Sequence, residues 1–230
     1  MQIFYSSPNA FGVLKDDEAI HCHKVLRKTI GDQIHIMDGI GSMFLSEITG
    51  TKKNEISFKV LEEEKAPEPK YHLHIAIAPT KNINRLEFFL EKVTEIGVNE
   101  ISLIKCFNSE RKLVKEDRLR KVILSAAKQS KTAYLPILNE LQPLNKFVKG
   151  NFSESNKVIA NYQKEQKHLK QTISSNNAFT ICIGPEGDFS AQELKLAKEN
   201  GFETYNLSEK RLRVETAGIV ACNIINLMYE

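Results

Sequence analysis

The chain has 230 residues, 41% hydrophobic and 27% charged, with a net charge of +3, the proportions of an ordinary soluble protein with room for two unequal domains. No apolar run approaches the ~20 residues needed to span a bilayer, Met1 to Phe11 is neither basic nor apolar enough for a signal peptide, and the four cysteines are scattered without a CxxC pair. These features argue against a membrane protein or a disulfide scaffold and predict a reducing, cytoplasmic setting.

Taken in chain order, the first predicted element is a helix over roughly Ala19 to Arg27. Three short β-like runs follow, Gln33 to Met37, Met43 to Ile48 and Glu55 to Val60, with Gly39-Ile40-Gly41 bending the chain between two of them. Together they predict a small barrel-like β domain. Glu62 to Lys70 is charged, holds two prolines and no large apolar residue, and reads as an extended, exposed linker.

Beyond it the pattern alternates between strand and helix. Leu73 to Ala78 reads as a buried strand. Asn84 to Gly97 places Leu86, Phe89, Leu90, Val93 and Ile96 at helical spacing, capped by Gly97. Ile101 to Ile104 is a strand, Arg118 to Lys131 an amphipathic helix, and Val158 to Ala160, Phe179 to Ile183 and Glu203 to Leu207 are further strands. Ser190 and Glu193 form a capping box that opens a helix ended by Gly201. Ala217 to Met228 is a last apolar helix. Such alternation predicts a mostly parallel α/β sheet covered on both faces.

Charge is unevenly distributed. Residues 1–70 hold nine Lys/Arg against eleven Asp/Glu, whereas Lys105 to Lys131 holds nine basic residues and three acidic ones. That stretch is either a solvated helix face or a footprint for a phosphate backbone. No G-x-G-x-x-G follows the first strand of the second domain, where Pro79-Thr80-Lys81 stands instead, and there is no Walker-type loop or G-x-S-x-G elbow. His21-Cys22-His23 has no partner pair at metal-ligand spacing, so no metal site is expected.

The most informative segment is Ile181 to Ala217. The apolar run ending at Ile183 stops at Gly184-Pro185-Glu186-Gly187, and a second run, Leu207 to Ala217, ends Leu212-Arg213-Val214-Glu215-Thr216-Ala217. The first turn reads as a plain strand-to-helix connection or as a ligand turn, since glycine without a Cβ lets a ligand approach the backbone. Ile183 to Ser190 with Glu193, and Leu207 to Ala217, resemble the RsmE-type family of 16S ribosomal RNA uridine N3-methyltransferases in the SPOUT superfamily. His23 to Arg27, Gly39 to Gly41, Lys92 to Val98, Ser109-Glu110-Arg111 and Ala126 to Ser130 fall in the family's order, so the resemblance covers nearly the whole chain.

The resemblance implies a PUA-like β-barrel at residues 1–68 and, at 71–230, a SPOUT α/β domain whose C-terminal third forms a trefoil knot. It implies S-adenosyl-L-methionine as cofactor, held by Ile183, Gly184, Pro185, Glu186, Gly187, Leu207, Leu212, Arg213, Glu215, Thr216 and Ala217. It also implies 16S ribosomal RNA in the small ribosomal subunit as substrate, and a homodimer whose interface includes the last helix. His23, Arg27, Arg111, Gln129 and Lys131 become candidates for RNA contact, and Arg111, Gln129 and Lys131 alternatively order the pocket. The uracil N3 carries a proton that must leave for methylation, so Glu215 and Glu186 are candidate bases; Glu215 reads equally as an ion-pair partner of Arg213 or a cap on the last helix. Asp188, Ser208, Lys210, Arg211 and Lys131 depart from the family's usual residues. A SPOUT ribose 2′-O-methyltransferase and a non-catalytic RNA-binding module are the rival readings.

Overall fold

The computed structural model describes residues 2–163, 166–171 and 176–230. By contact the chain divides into two compact units, Met1–Glu68 with Leu124–Leu135, and Pro69–Ile123 with Pro136–Glu230.

The first unit is built on five strands, β1 (Ile3–Tyr5), β2 (Val13–Lys15), β3 (Gln33–Met37), β4 (Ser42–Lys52) and β5 (Glu55–Lys65), in the order β1-β3-β4-β5-β2. The β1–β3 pair is parallel and the others antiparallel. β1 and β2 have three residues each, too few for a periodic signal. Alternate residues of the longer strands, Ile34, Ile36, Ile48, Ile56 and Phe58, turn inward onto Phe4 and Leu14. The expected helix starts earlier than its apolar spacing suggests: α1 (Asp16–Ile20) runs directly into a π-helical turn, His21–Val25. Asp16, Asp17 and Glu18 occupy its first turn, where acidic side chains favour the helix N-terminus.

The charged stretch expected to be wholly linker is strand as far as Lys65. Glu62, Glu63, Glu64 and Lys65 pair with Leu45, Phe44, Met43 and Ser42. Ladder pairing needs only backbone groups, and these side chains are exposed, so their charge is no obstacle. Residues 124–135 complete the unit. Ala127 is buried with Ile3 and Met37, the Ala133 carbonyl accepts from Gly41 N, and Leu135 N donates to the Gly39 carbonyl. Lys128 pairs with Glu18. Gly41 has φ +121, and any Cβ there would overlap the Tyr134 phenol.

The second unit is a six-stranded parallel sheet, β6 (His72–Ile77), β7 (Glu100–Lys105), β8 (Ile137–Pro143), β9 (Asn156–Ala160), β10 (Ala178–Ile183) and β11 (Glu203–Tyr205), ordered β11-β9-β10-β6-β7-β8. Helices α2 (Ile83–Ile96), α3 (Glu116–Ser130), α4 (Leu144–Phe147), α5 (Ala191–Glu199) and α6 (Val214–Tyr229) connect or follow the strands. The central strands β6 and β10 are almost entirely buried, which explains their continuous apolar runs. β8 escapes the sequence pattern because it is a polar edge strand ending at a proline. α6 opens three residues before its expected start, and α5 carries the predicted capping box. α3 begins in the second unit and ends in the first.

Candidate active site

The carboxyl ends of β9, β10 and β11 open onto one cavity of about 360 Å³. Open parallel sheets bind ligands at this edge, because loops leaving the strands there diverge around a crevice. Three segments wall the cavity: Ala160-Asn161-Tyr162 at the end of β9, Ile183-Gly184-Pro185-Glu186 with Asp188 at the end of β10, and Leu207 through Val214 with Ala217, save Glu209, around the start of α6; Arg85 of α2 also reaches it. The two runs singled out in the sequence therefore meet. Of the eleven predicted cofactor residues, Ile183, Gly184, Pro185, Glu186, Leu207, Leu212, Arg213 and Ala217 line this cavity. Glu215 and Thr216 instead line a second cavity beside it, and Gly187 lines neither.

The glycines of the turn also make room for neighbouring side chains. A Cβ on Gly184 would lie 3.0 Å from the Phe189 ring, and one on Gly187 would lie 2.9 Å from Asn108 Cβ. Their missing side chains make room for the protein itself. Asn108 donates from Nδ2 to the carbonyls of Gly187 and Asp188 at 2.9 and 3.0 Å, while Phe189 is buried in the core. Asp188 closes the turn by donating its N–H to the Pro185 carbonyl, at φ 63. A glycine would take that left-handed conformation freely, and aspartate is among the few other residues that tolerate it.

Glu186 is held by the neighbouring loop, its Oε1 accepting from Lys81 N at 2.9 Å. That loop is fixed in turn by Arg111, which donates from Nε to the Thr80 carbonyl at 2.9 Å and from Nη2 to the Lys81 carbonyl at 2.6 Å. Lys81 pairs with Glu110, whose hydrogen bond and charge raise the Lys81 pKa.

Glu215 lies in the first turn of α6 and is 7% exposed. Its ion-pair partner is Arg85, at 3.7 Å from Nε to Oε1, and not the adjacent Arg213. Arg213 is instead the N-cap residue of α6, exposed and without a side-chain capping bond. The buried Oε2 of Glu215 has no hydrogen-bond partner.

His23, Arg27, Gln129 and Lys131 all fall in the first unit. His23, Arg27, Gln129 and Lys131 are exposed. Arg27 and Lys131 both adopt positive φ, 54 and 59, and His23 Nδ1 lies 3.3 Å from the Lys28 carbonyl. Among the described residues no group of three or more His, Cys, Asp or Glu is placed to hold a metal. Sequence reasoning passed over Arg85, Asn161 and Tyr162 as site residues; the last two follow the parallel strand β9, which was the available signal.

Comparison with known proteins gives the family. Residues 66–226 match the model of an RNA methyltransferase domain, and residues 14–61 that of an RNA methyltransferase PUA domain. The chain is 30% identical over 220 residues to the ribosomal RNA small subunit methyltransferase E of Rickettsia conorii, covering 94% of this chain and 89% of the relative. A probable rRNA-methyltransferase from Porphyromonas gingivalis superposes with a TM-score of 0.90 at 35% identity, over 100% of this chain and 98% of the other. The fold is shared with a ribosomal RNA small subunit methyltransferase E from Neisseria gonorrhoeae, solved bound to S-adenosyl methionine, at TM-score 0.85 and 24% identity, over 100% and 98% of the two chains. A PUA domain, a parallel-sheet RNA methyltransferase domain and this degree of identity along nearly the full length establish that the chain belongs to the ribosomal RNA small subunit methyltransferase E family of RNA methyltransferases.

Proposed function

We propose that this chain transfers a methyl group from S-adenosylmethionine to N3 of a uridine in 16S ribosomal RNA of the small subunit. The observation that carries the reading is the convergence of the Gly184–Glu186 turn and the Leu207–Ala217 segment on one cavity at the carboxyl edge of the sheet. Its donor set suits the cofactor. Ile183, Leu207 and Leu212 offer apolar walls for an adenine, exposed loop backbone offers hydrogen bonds to its edge, and Lys210, Arg211 and Arg213 offer cations for a carboxylate. Glu186 and Asp188 bring negative charge to the cavity, which suits a sulfonium.

The cofactor supplies an electrophilic methyl group, which leaves the protein two tasks. One is to hold the acceptor in line with that methyl group, and the other is to take the N3 proton. Arg111 contributes to the first by fixing the loop that anchors Glu186. The exposed cations of the first unit, Arg27 and Lys131, and its His23 and Gln129 suit contact with an RNA backbone. The same reading carries a trefoil knot in the C-terminal third, supported by the meeting of the two segments, and a homodimer in the cytoplasm. For the homodimer the support is α6: Ile219, Val220 and Ile224 are only partly buried and Leu227 is 60% exposed.

The test uses small ribosomal subunits from a strain lacking the modification, incubated with the protein and labelled S-adenosylmethionine and digested to nucleosides. Label in 3-methyluridine is expected. Label in a 2′-O-methyl nucleoside would keep the fold and overturn the acceptor chemistry, and absence of both label and cofactor binding would favour a non-catalytic module. A crystal structure of the cofactor complex checks the knot.

A further inference from the structure

Beside the main cavity lies a second of about 460 Å³, lined by Asn84, Arg85 and Phe88 of α2, by Arg211 to Arg213, and by Glu215 and Thr216 of α6. Arg85, Arg211, Leu212 and Arg213 line both, so the two adjoin. Three observations in the second cavity ask for a ligand. Glu215 is more than nine-tenths buried and keeps a carboxylate oxygen without a partner, a costly arrangement that calls for an explanation in what the group does. Its bond to Arg85 is long, at 3.7 Å, which leaves donor capacity on the guanidinium. Phe88 is 48% exposed, and its ring already carries a cation, Lys92 Nζ, 5.8 Å from the centroid.

We propose that this second cavity receives the acceptor base, and that the Arg85–Glu215 pair reads the edge that carries N3; this rests on the N3-uridine reading above. The uracil edge runs acceptor, donor, acceptor: O2, N3–H, O4. A carboxylate oxygen opposite N3–H, flanked by N–H donors from Arg85 and Asn84, is its complement. Cytosine presents a bare N3 at the same point and would meet Glu215 with two acceptors face to face. Phe88 supplies the stacking surface that holds an unstacked base. Arg211 and Arg213, exposed and without an ion-pair partner among the described residues, meet the flanking phosphates.

The pair also completes the reaction. Glu215 accepts the N3 proton as the N3–methyl bond forms, the carbon–sulfur bond of the donor breaks with its electron pair going to sulfur, and the products are a methylated base, a neutral thioether and a protonated carboxyl group that returns its proton to water. Arg85 is a positioning residue that orients the carboxylate.

The experiment measures kcat, KM for small subunits and cofactor affinity for the intact protein and for Glu215→Gln, Arg85→Ala, Arg85→Lys and Phe88→Ala. Glu215→Gln should lower kcat about 100-fold or more while binding S-adenosylmethionine as the wild type does. Its deficit should shrink as rising pH deprotonates uracil N3 directly, a profile that a structural role would not produce. Arg85→Ala should lower kcat, with partial recovery in Arg85→Lys, and Phe88→Ala should raise KM about tenfold with kcat little changed. A Glu215→Gln protein with near wild-type kcat, or one that loses cofactor affinity together with activity, overturns the proposal. Should that variant melt early, an unchanged KM in Phe88→Ala overturns it instead. If the wild type labels a ribose, the underlying reading has failed; if it makes 3-methyluridine and the variants behave like wild type, only the assignment of this cavity has.

Discussion

At the scale of single residues, His74 shows how burial overrules charge. It sits in β6, 5% exposed, with Nε2 2.8 Å from Ser102 Oγ and the rings of Phe147 and Phe152 packed edge-on against it. The Glu100 carboxylate, 3.6 Å from Nδ1, favours the charged ring, and nearby His72 opposes it. Desolvation dominates, and the pKa falls to about 4. The unfolded chain binds this proton near pH 6.5, so the contribution is fully present above that value and drains away as pH falls from 6.5 toward 4. It amounts to on the order of 3 kcal/mol. Urea midpoints of the wild type should drop across that window, and those of His74→Gln should drop less. Parallel curves would reject the account.

The site residues differ in how far sequence alone could reach them. Gly184 and Gly187 were visible as a turn, yet their physical reason, room for Phe189 and Asn108, depends on residues as far as 79 positions away. Glu215 was visible beside Arg213, whereas its actual partner, Arg85, lies 130 positions back. Local patterns carry no information about such pairings. Asp188 was visible only as a departure from a family pattern, and its φ of 63 supplies the meaning.

At the scale of elements, periodicity served where helices and strands are long and one- or two-sided in their burial. α2 keeps Leu86, Phe89, Leu90 and Val93 on one buried face and ends at Gly97, φ 121, much as its spacing foretells. β8 and the three-residue strands β1 and β2 lie outside that reach, because an edge strand needs no apolar alternation and a short one cannot show it. α6 packs on α2 through Gly218, where a Cβ would overlap the Phe89 ring and lie 3.3 Å from Ile77 Cδ1. Neither neighbour can yield, since both are wholly buried. Gly218→Ala should therefore cost ~1–3 kcal/mol despite its better helix propensity. In thermal melts that corresponds to a loss of about 2–4 °C per kcal/mol; a higher melting temperature would show that the helices have slack.

At the scale of the whole molecule, the same helix bears on assembly. Val214, Gly218, Ala221, Cys222 and Ile225 face inward, so the proposed dimer draws on the opposite side, where Leu227 and Met228 stand exposed. Leu227→Glu should convert the dimer to a monomer in light scattering without lowering the melting temperature of the isolated chain much. A wild type already monomeric at micromolar concentration would dismiss the interface.

The linker composition marked the end of the first unit near Glu68, and nothing in the amphipathic pattern of Arg118 to Lys131 signalled that its last turns belong with residues of the N-terminal third. Hydrophobic spacing says that a face will be covered, not by which part of the chain. The assignment of Leu124–Leu135 to the first unit has a consequence for the order of events during synthesis. When the first 68 residues have left the ribosome, Ile3 and Met37 still lack Ala127, and Glu18 still lacks Lys128. About fifty-five further residues must emerge before that wall arrives. The N-terminal sheet thus waits, incomplete, for a segment made in the middle of the second unit. The two halves mature as a pair, and a half-length nascent chain holds neither of them finished.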